Sequence, residues 1–159
     1  MNGTQAPTPE EVIRVGGIEI RYLQEAGDGR QIGCFEMRVP PQAMVPPPHS
    51  HPGNEELVYV LEGTLRYSVG SETRDLRAGE SMVTPPGEVH AFSNPFADAV
   101  RALVINTPDI QANYFREVAA IVNRGGPPDK AALMATMRKF GLVPAMPPAA
   151  AVGGVVGSG

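Results

Sequence analysis

Two stretches decide how this chain is read: HSHPGNEELVYVLEG at residues 49–63 and GESMVTPPGEVHAFSN at residues 79–94. Between them they hold all three histidines of the chain, His49, His51 and His90, and the carboxylate of Glu56. In an extended strand, residues two apart point to the same face. His49 and His51 therefore project side by side. Pro52, Gly53 and Asn54 break the alternation and reset the parity before Glu56. From there Glu56, Val58 and Val60 share one face, and Leu57, Tyr59 and Leu61 share the other. His90 arrives from a later strand, after the Pro85-Pro86-Gly87 turn. Three imidazoles and one carboxylate make a ligand set for Fe(II), Mn(II), Ni(II), Co(II) or Zn(II), and leave positions on an octahedral ion for water or substrate. A lone HxH pair is often a surface accident, and a lone histidine is more often a hydrogen-bonded core residue. The joint pattern is what points to a metal, with every histidine beside turn-forming prolines or glycines.

Outward from these stretches the chain reads as short strands at regular spacing. Val12–Val15 and Ile18–Leu23 flank a Gly16-Gly17 hairpin turn, and Ile32–Val39 follows a polar loop. Pro40-Pro41 and Pro46-Pro47-Pro48 cannot donate to a ladder and deliver the chain stiffly to His49. Glu56–Leu61, Thr64–Val69, Thr73–Leu76, Ser81–Val83, Val89–Ser93 and Val100–Ile105 complete an antiparallel sandwich or barrel. The mode changes at Thr107-Pro108-Asp109, which reads as a helix start. Ile110, Tyr114, Val118, Ile121 and Val122 then recur at helical spacing as far as Gly125-Gly126. Asp129 caps a second helix carrying Leu133, Met134, Met137 and Phe140 on one face. The expected organisation is a flexible tail over 1–10, a β-barrel over 11–106, a helical pair packed on it over 107–143, and a disordered Pro/Ala/Gly tail over 144–159.

Composition narrows the function classes. The chain has 159 residues, enough for one domain with a proper core. A net charge of −4 argues against nucleic acid, where a basic patch is expected. No apolar run approaches the roughly 20 residues of a membrane helix. The opening MNGTQAPTPEE lacks the basic and apolar regions of a signal peptide, and the one cysteine, Cys34, has no internal partner. A cytoplasmic location is the expectation. Cys34 reads as buried filler. Met37, Met44, Met82 and Phe92 read as core or as pocket lining, and Tyr59 as packing at a sheet or dimer contact.

The two stretches resemble the two motifs of cupins. His49, His51, Glu56 and Gly63 match the first; Gly79, Pro85, Gly87, His90 and Asn94 match the second without departure. The 15 residues between Gly63 and Gly79 match the short loop of small bacterial cupins. The leading glycine of the first motif would fall at Ala43, which affects a turn and no ligand. Glu55 is an alternative carboxylate, but the spacing to Gly63 selects Glu56. The resemblance implies an all-β fold, a double-stranded β-helix (the cupin jelly-roll barrel) with two C-terminal α-helices. It implies a divalent transition metal held by His49, His51, Glu56 and His90, and a homodimer. The trailing helices, with their ending MRKFGLVP, loosely resemble those of quercetinase-like cupins. The leading functional expectation is a small-molecule dioxygenase acting on an enol- or hydroxyl-bearing substrate, flavonol-like or diketone-like, with Glu56 as the catalytic base. The alternatives are a redox-neutral cyclase, isomerase or decarboxylase, or a non-catalytic module that binds a metal or small ligand.

Overall fold

The computed structural model describes residues 11–145; the tail expected over 1–10 and residues 146–159 of the tail expected over 144–159 lie outside it. Strands β1 (Ile13–Val15), β2 (Ile18–Gln24) and β3 (Gly33–Val39) are followed by β4 (His49–Ser50) and β5 (Glu55–Glu62). Then come β6 (Thr64–Val69), β7 (Glu72–Arg77), β8 (Ser81–Thr84), β9 (His90–Ser93) and β10 (Val100–Thr107). Helices α1 (Ala112–Val122) and α2 (Lys130–Lys139) precede a last strand, β11 (Val143–Pro144). The strands form two antiparallel sheets, β1-β2-β3-β10-β5-β8 and β11-β4-β9-β6-β7. This is a jelly roll of two facing sheets rather than one closed barrel.

Alternation fills the space between the sheets. Ile18 and Ile20, Phe35 and Met37, Val58 and Val60, and Ala102 and Val104 all point inward from the first sheet; Leu65 and Tyr67 meet them from the second. Each fully buried Val, Leu, Ile or Phe side chain contributes about 1.5–3 kcal/mol. The parity expected for β5 holds, with Glu56, Val58 and Val60 buried and Tyr59 exposed. The β5–β6 turn requires glycine: Gly63 has φ +78°, and a Cβ there would lie 2.6 Å from the Ala99 carbonyl oxygen.

Two expectations are corrected. No helix starts at Thr107. β10 pairs with β3 and β5 and carries the ladder to Thr107 opposite Glu55, so sheet pairing overrides the local Thr-Pro-Asp signal. The helix begins at Ala112, and its first amides are served from elsewhere. Gln111 N donates to Asp109 Oδ1 at 3.0 Å, and Ala112 N donates to Glu25 Oε1 at 3.2 Å. Pro144 does not open a disordered tail. Val143 and Pro144 pair with Ser50 and His49, so the returning chain lies along the strand that carries the first histidine. The second helix starts as expected, with the Asp129 side chain accepting from Ala132 N at 3.0 Å.

Candidate metal centre

The paired sheets bring the three histidines together. β4 runs antiparallel to β9, placing His49 directly opposite His90. His51 follows β4 by one residue, after which a turn closes with Asn54 N donating to the His51 carbonyl. The ring centroids of His49 and His51 are 5.0 Å apart, those of His49 and His90 4.5 Å, and those of His51 and His90 4.8 Å. One nitrogen from each ring falls within 4.8 Å of the others, and all three residues are buried.

The hydrogen bonds select which nitrogens face inward. His49 Nδ1 donates to the Pro47 carbonyl at 2.8 Å, and His90 Nδ1 to the Glu88 carbonyl at 3.4 Å. With the proton assigned to Nδ1 by these contacts, each ring presents the lone pair of Nε2. Pro47 belongs to the stiff proline run, which therefore orients a ligand as well as delivering the chain. His51 is more telling still. Both of its ring nitrogens are buried without a hydrogen-bond partner among the described residues. An unpartnered buried polar group is costly unless something else binds it.

Glu56 projects from β5 toward the same point, with Oε1 3.6 Å from His90 Nε2. A carboxylate oxygen facing an imidazole lone pair is repulsive unless a cation or proton lies between them. Tyr67, from β6, donates its hydroxyl to Glu56 Oε1 at 2.8 Å and contacts Thr84 Oγ1 at 2.9 Å. Since the phenol's one proton goes to Glu56, Thr84 is the donor to Tyr67. Asn106 stands opposite Glu56 on β10, fully buried, with its amide unpartnered among the described residues.

Burial sets the charge states. It pushes His49, His51 and His90 all down, His51 to about 3, with the neighbouring imidazoles reinforcing the shift for His49 and His51. The three rings are thus neutral at ordinary pH, the form that ligates a metal. Burial pushes the Glu56 carboxyl up, and the Tyr67 hydrogen bond pulls it partly back. Neutral inward lone pairs, an orphaned imidazole and a facing carboxylate fit a divalent transition metal, whose identity stays open across the first-row series.

Beside this cluster lies a cavity of about 70 Å³. His49, His51, His90 and Glu56 line it, together with the phenols Tyr67 and Tyr114. The remaining wall is apolar and aromatic, built by the inner sheet faces and by α1 through Tyr114, Phe115 and Val118. Tyr67 and α1's contribution to this wall are functional features that sequence reasoning missed. Met37 and Phe92 line the cavity, Met82 sits in the core, and Met44 is 72% exposed. Cys34 is half-buried on the outer sheet face rather than core filler. Asn94, the last residue of the second motif, is structural: its side chain bonds Val39 O, Asp98 O and Phe96 N.

Residues 35–106 match the family model of the cupin domain. The chain contains a cupin domain. Among curated proteins it is similar to the putative germin-like protein 9-2 of Oryza sativa subsp. japonica, 39% identical over 96 residues, 56% of this chain and 42% of that one. It is also similar to the polyketide synthase CurC of Streptomyces cyaneus, 44% identical over 46 residues, 29% of this chain and 30% of that one. The cupin chain thus spans well under half the length of these curated relatives. Among solved structures, the polyketide cyclase RemF of Streptomyces resistomycificus superposes with a TM-score of 0.53 at 26% identity, covering 69% of this chain and 80% of that one. Among the described residues, no helix of this cupin is long and apolar enough to cross a membrane.

Proposed function

We propose that this cupin is a metal-dependent enzyme that removes a proton from a small enol- or phenol-bearing substrate and carries it through a redox-neutral step such as ring closure. The observation behind this reading is the convergence of three neutral, buried imidazoles and the Glu56 carboxylate at one end of an apolar cavity. His49, His51 and His90 would hold the ion, with Glu56 as fourth ligand or as base. A divalent ion there supplies a Lewis acid that polarises the substrate's oxygen and makes its proton easier to remove.

The chain's own residues supply the rest. Among the described residues, Glu56 is the one carboxylate lining the cavity. Burial raises its proton affinity toward the range useful for a base. Tyr67 holds the carboxylate in place by donating to Oε1. The apolar wall excludes bulk water, so a reactive enolate inside it is shielded from the solvent. Ring closure is favoured over the other redox-neutral reactions by the similarity to a polyketide cyclase.

Dioxygenation of the same kind of substrate is the second reading, favoured by a donor set that leaves coordination positions open. Turnover of enolisable polyketide-like compounds, flavonols and β-diketones by metal-loaded protein, with and without oxygen, separates the two. Anaerobic turnover is expected. Turnover that requires and consumes oxygen would move the assignment to a dioxygenase. Stoichiometric binding with every ligand recovered unchanged would make the protein a binding module.

A further inference from the structure

The chain has four tyrosines, and three of them, Tyr22, Tyr67 and Tyr114, are buried. Two have their hydroxyls engaged inside the protein: Tyr22 donates to Asp109 Oδ1 at 3.1 Å, and Tyr67 to Glu56 Oε1 at 2.8 Å. Tyr114 is only 4% exposed, yet its hydroxyl makes no hydrogen bond among the described residues. A buried tyrosine ordinarily finds a partner for its O–H. Tyr114 lines the same cavity as His49, His51, His90 and Glu56, so its partner can come from what the cavity holds. Burial pushes its proton affinity well above the ordinary range, and the Glu56 carboxylate pushes it further, so the phenol stays protonated and is a donor.

The ring is held in place from several sides. Tyr114 stands in the first turn of α1, and its N–H donates to the Gln111 carbonyl at 3.1 Å. Phe115 and Phe140 pack edge-on against the ring, at centroid distances of 5.0 and 5.7 Å. The neighbouring wall is apolar, with Ile20, Phe35, Val104 and Val118. One donor in such a wall fixes which way a ligand lies, and its hydrogen bond is stronger there than in water. His49, Glu56 and His90 come from β4, β5 and β9, whereas Tyr114 comes from α1, so the two groups reach a ligand from different elements. We infer that Tyr114 is a substrate-binding residue, its hydroxyl donating to a carbonyl of the substrate that is not bound to the metal. This rests on the metal-site proposal above and narrows its substrates to compounds with a carbonyl besides the oxygens that the metal would hold. A carbonyl conjugated to the forming enolate shares its negative charge, and a donor placed on it stabilises that form.

The test uses the full-length protein loaded with Co(II), with binding followed by calorimetry and by the visible spectrum of the ion. The probes are heptane-2,4-dione, whose two oxygens chelate the ion, and heptane-2,4,6-trione, which adds a third carbonyl on a chain of the same length. The wild type and Tyr114→Phe are each titrated with both, so that differences between the probes unrelated to Tyr114 cancel. The preference for the trione should be about fivefold greater in the wild type than in the variant, the size of one net hydrogen bond, while the dione binds both proteins alike. Because the hydroxyl has no partner to lose inside the protein, Tyr114→Phe should melt no lower than the wild type. An equal preference in the two proteins overturns the inference: with affinities unchanged the hydroxyl serves only water, and with both weakened it meets a metal-bound oxygen. A Tyr114→Phe protein that fails to fold or melts well below the wild type also overturns it, because the hydroxyl then has a structural partner. So does a Co(II)-loaded wild type that binds neither probe. Failure of the wild type to take up Co(II) is the separate result that removes the metal-site proposal and this inference with it.

Discussion

The Tyr67 hydroxyl donates to Glu56 Oε1 at 2.8 Å and accepts from Thr84, so one phenol links Glu56 to the β8 edge strand. Tyr67→Phe keeps the ring and removes this link. It should lower metal affinity or turnover by about 10- to 100-fold, as loss of a supporting hydrogen bond commonly does. It should also lower stability by about 1–3 kcal/mol, since Glu56 and Thr84 lose their partner. Metal titration and chemical denaturation of the variant measure both. The histidines make a pH prediction. Burial holds their folded-state proton affinity below the ordinary value, His51 to about 3, so on acidification the unfolded chain takes up protons first. Stability of the metal-free protein is therefore fully present above about pH 6.5 and lost as pH falls below it, by up to about 1.4 kcal/mol per pH unit for each histidine. Glu56, pushed up by burial, acts in the opposite sense as a single group and reduces the slope. Denaturation midpoints that stay flat between pH 7 and pH 4.5 would contradict the buried, neutral assignment.

Asp109 joins three elements that the sequence shows only as separate strings. It accepts from the Tyr22 hydroxyl, from Ala26 N and from Gln111 N, tying β2, the loop after it and the start of α1. Gly33 leaves the room it occupies, since a Cβ there would overlap the carboxylate. Asp109→Ala should cost about 2–4 kcal/mol, from buried donors left unpaired, and should loosen α1 over the cavity. Hydrogen exchange that is faster in α1 than in β5 would show this; uniform exchange would not. The same region marks where the sequence was legible and where it was not. The period of two placed Glu56, Val58 and Val60 inward correctly, because strand parity is local. The side-by-side imidazoles of His49 and His51 came from the same rule. Thr107-Pro108-Asp109 misled because a capping signal is also local, whereas the end of β10 is decided by pairing with β3 and β5. Tyr67 was invisible as a site residue because an inward tyrosine on β6 meets Glu56 only once the sheets are stacked. The pairing of Pro144 with His49 joins positions far apart in sequence, which no spacing rule reaches.

At the scale of the whole molecule, the outer face of the six-stranded sheet is unusually apolar for a surface. Leu57, Tyr59, Val83, Leu103 and Ile105 lie in adjacent registers of β5, β8 and β10, and Tyr59 and Val83 are 37% and 44% exposed. We expect a homodimer through this face, with a solution mass of about twice 16.8 kDa by light scattering. Tyr59→Glu combined with Leu103→Glu should reduce it to the monomer; a wild-type monomer would rule the interface out. The buried cluster of His49, His51 and His90 could hold one metal ion. The most direct measurement is the metal content, by mass spectrometry, of protein purified without chelator, alongside His49→Ala, His51→Ala and His90→Ala. About one transition-metal ion per chain is predicted for the wild type, with strong loss and a lower melting temperature in each variant. Metal content unchanged in all three variants, or none in the wild type after incubation with the first-row series, would contradict it.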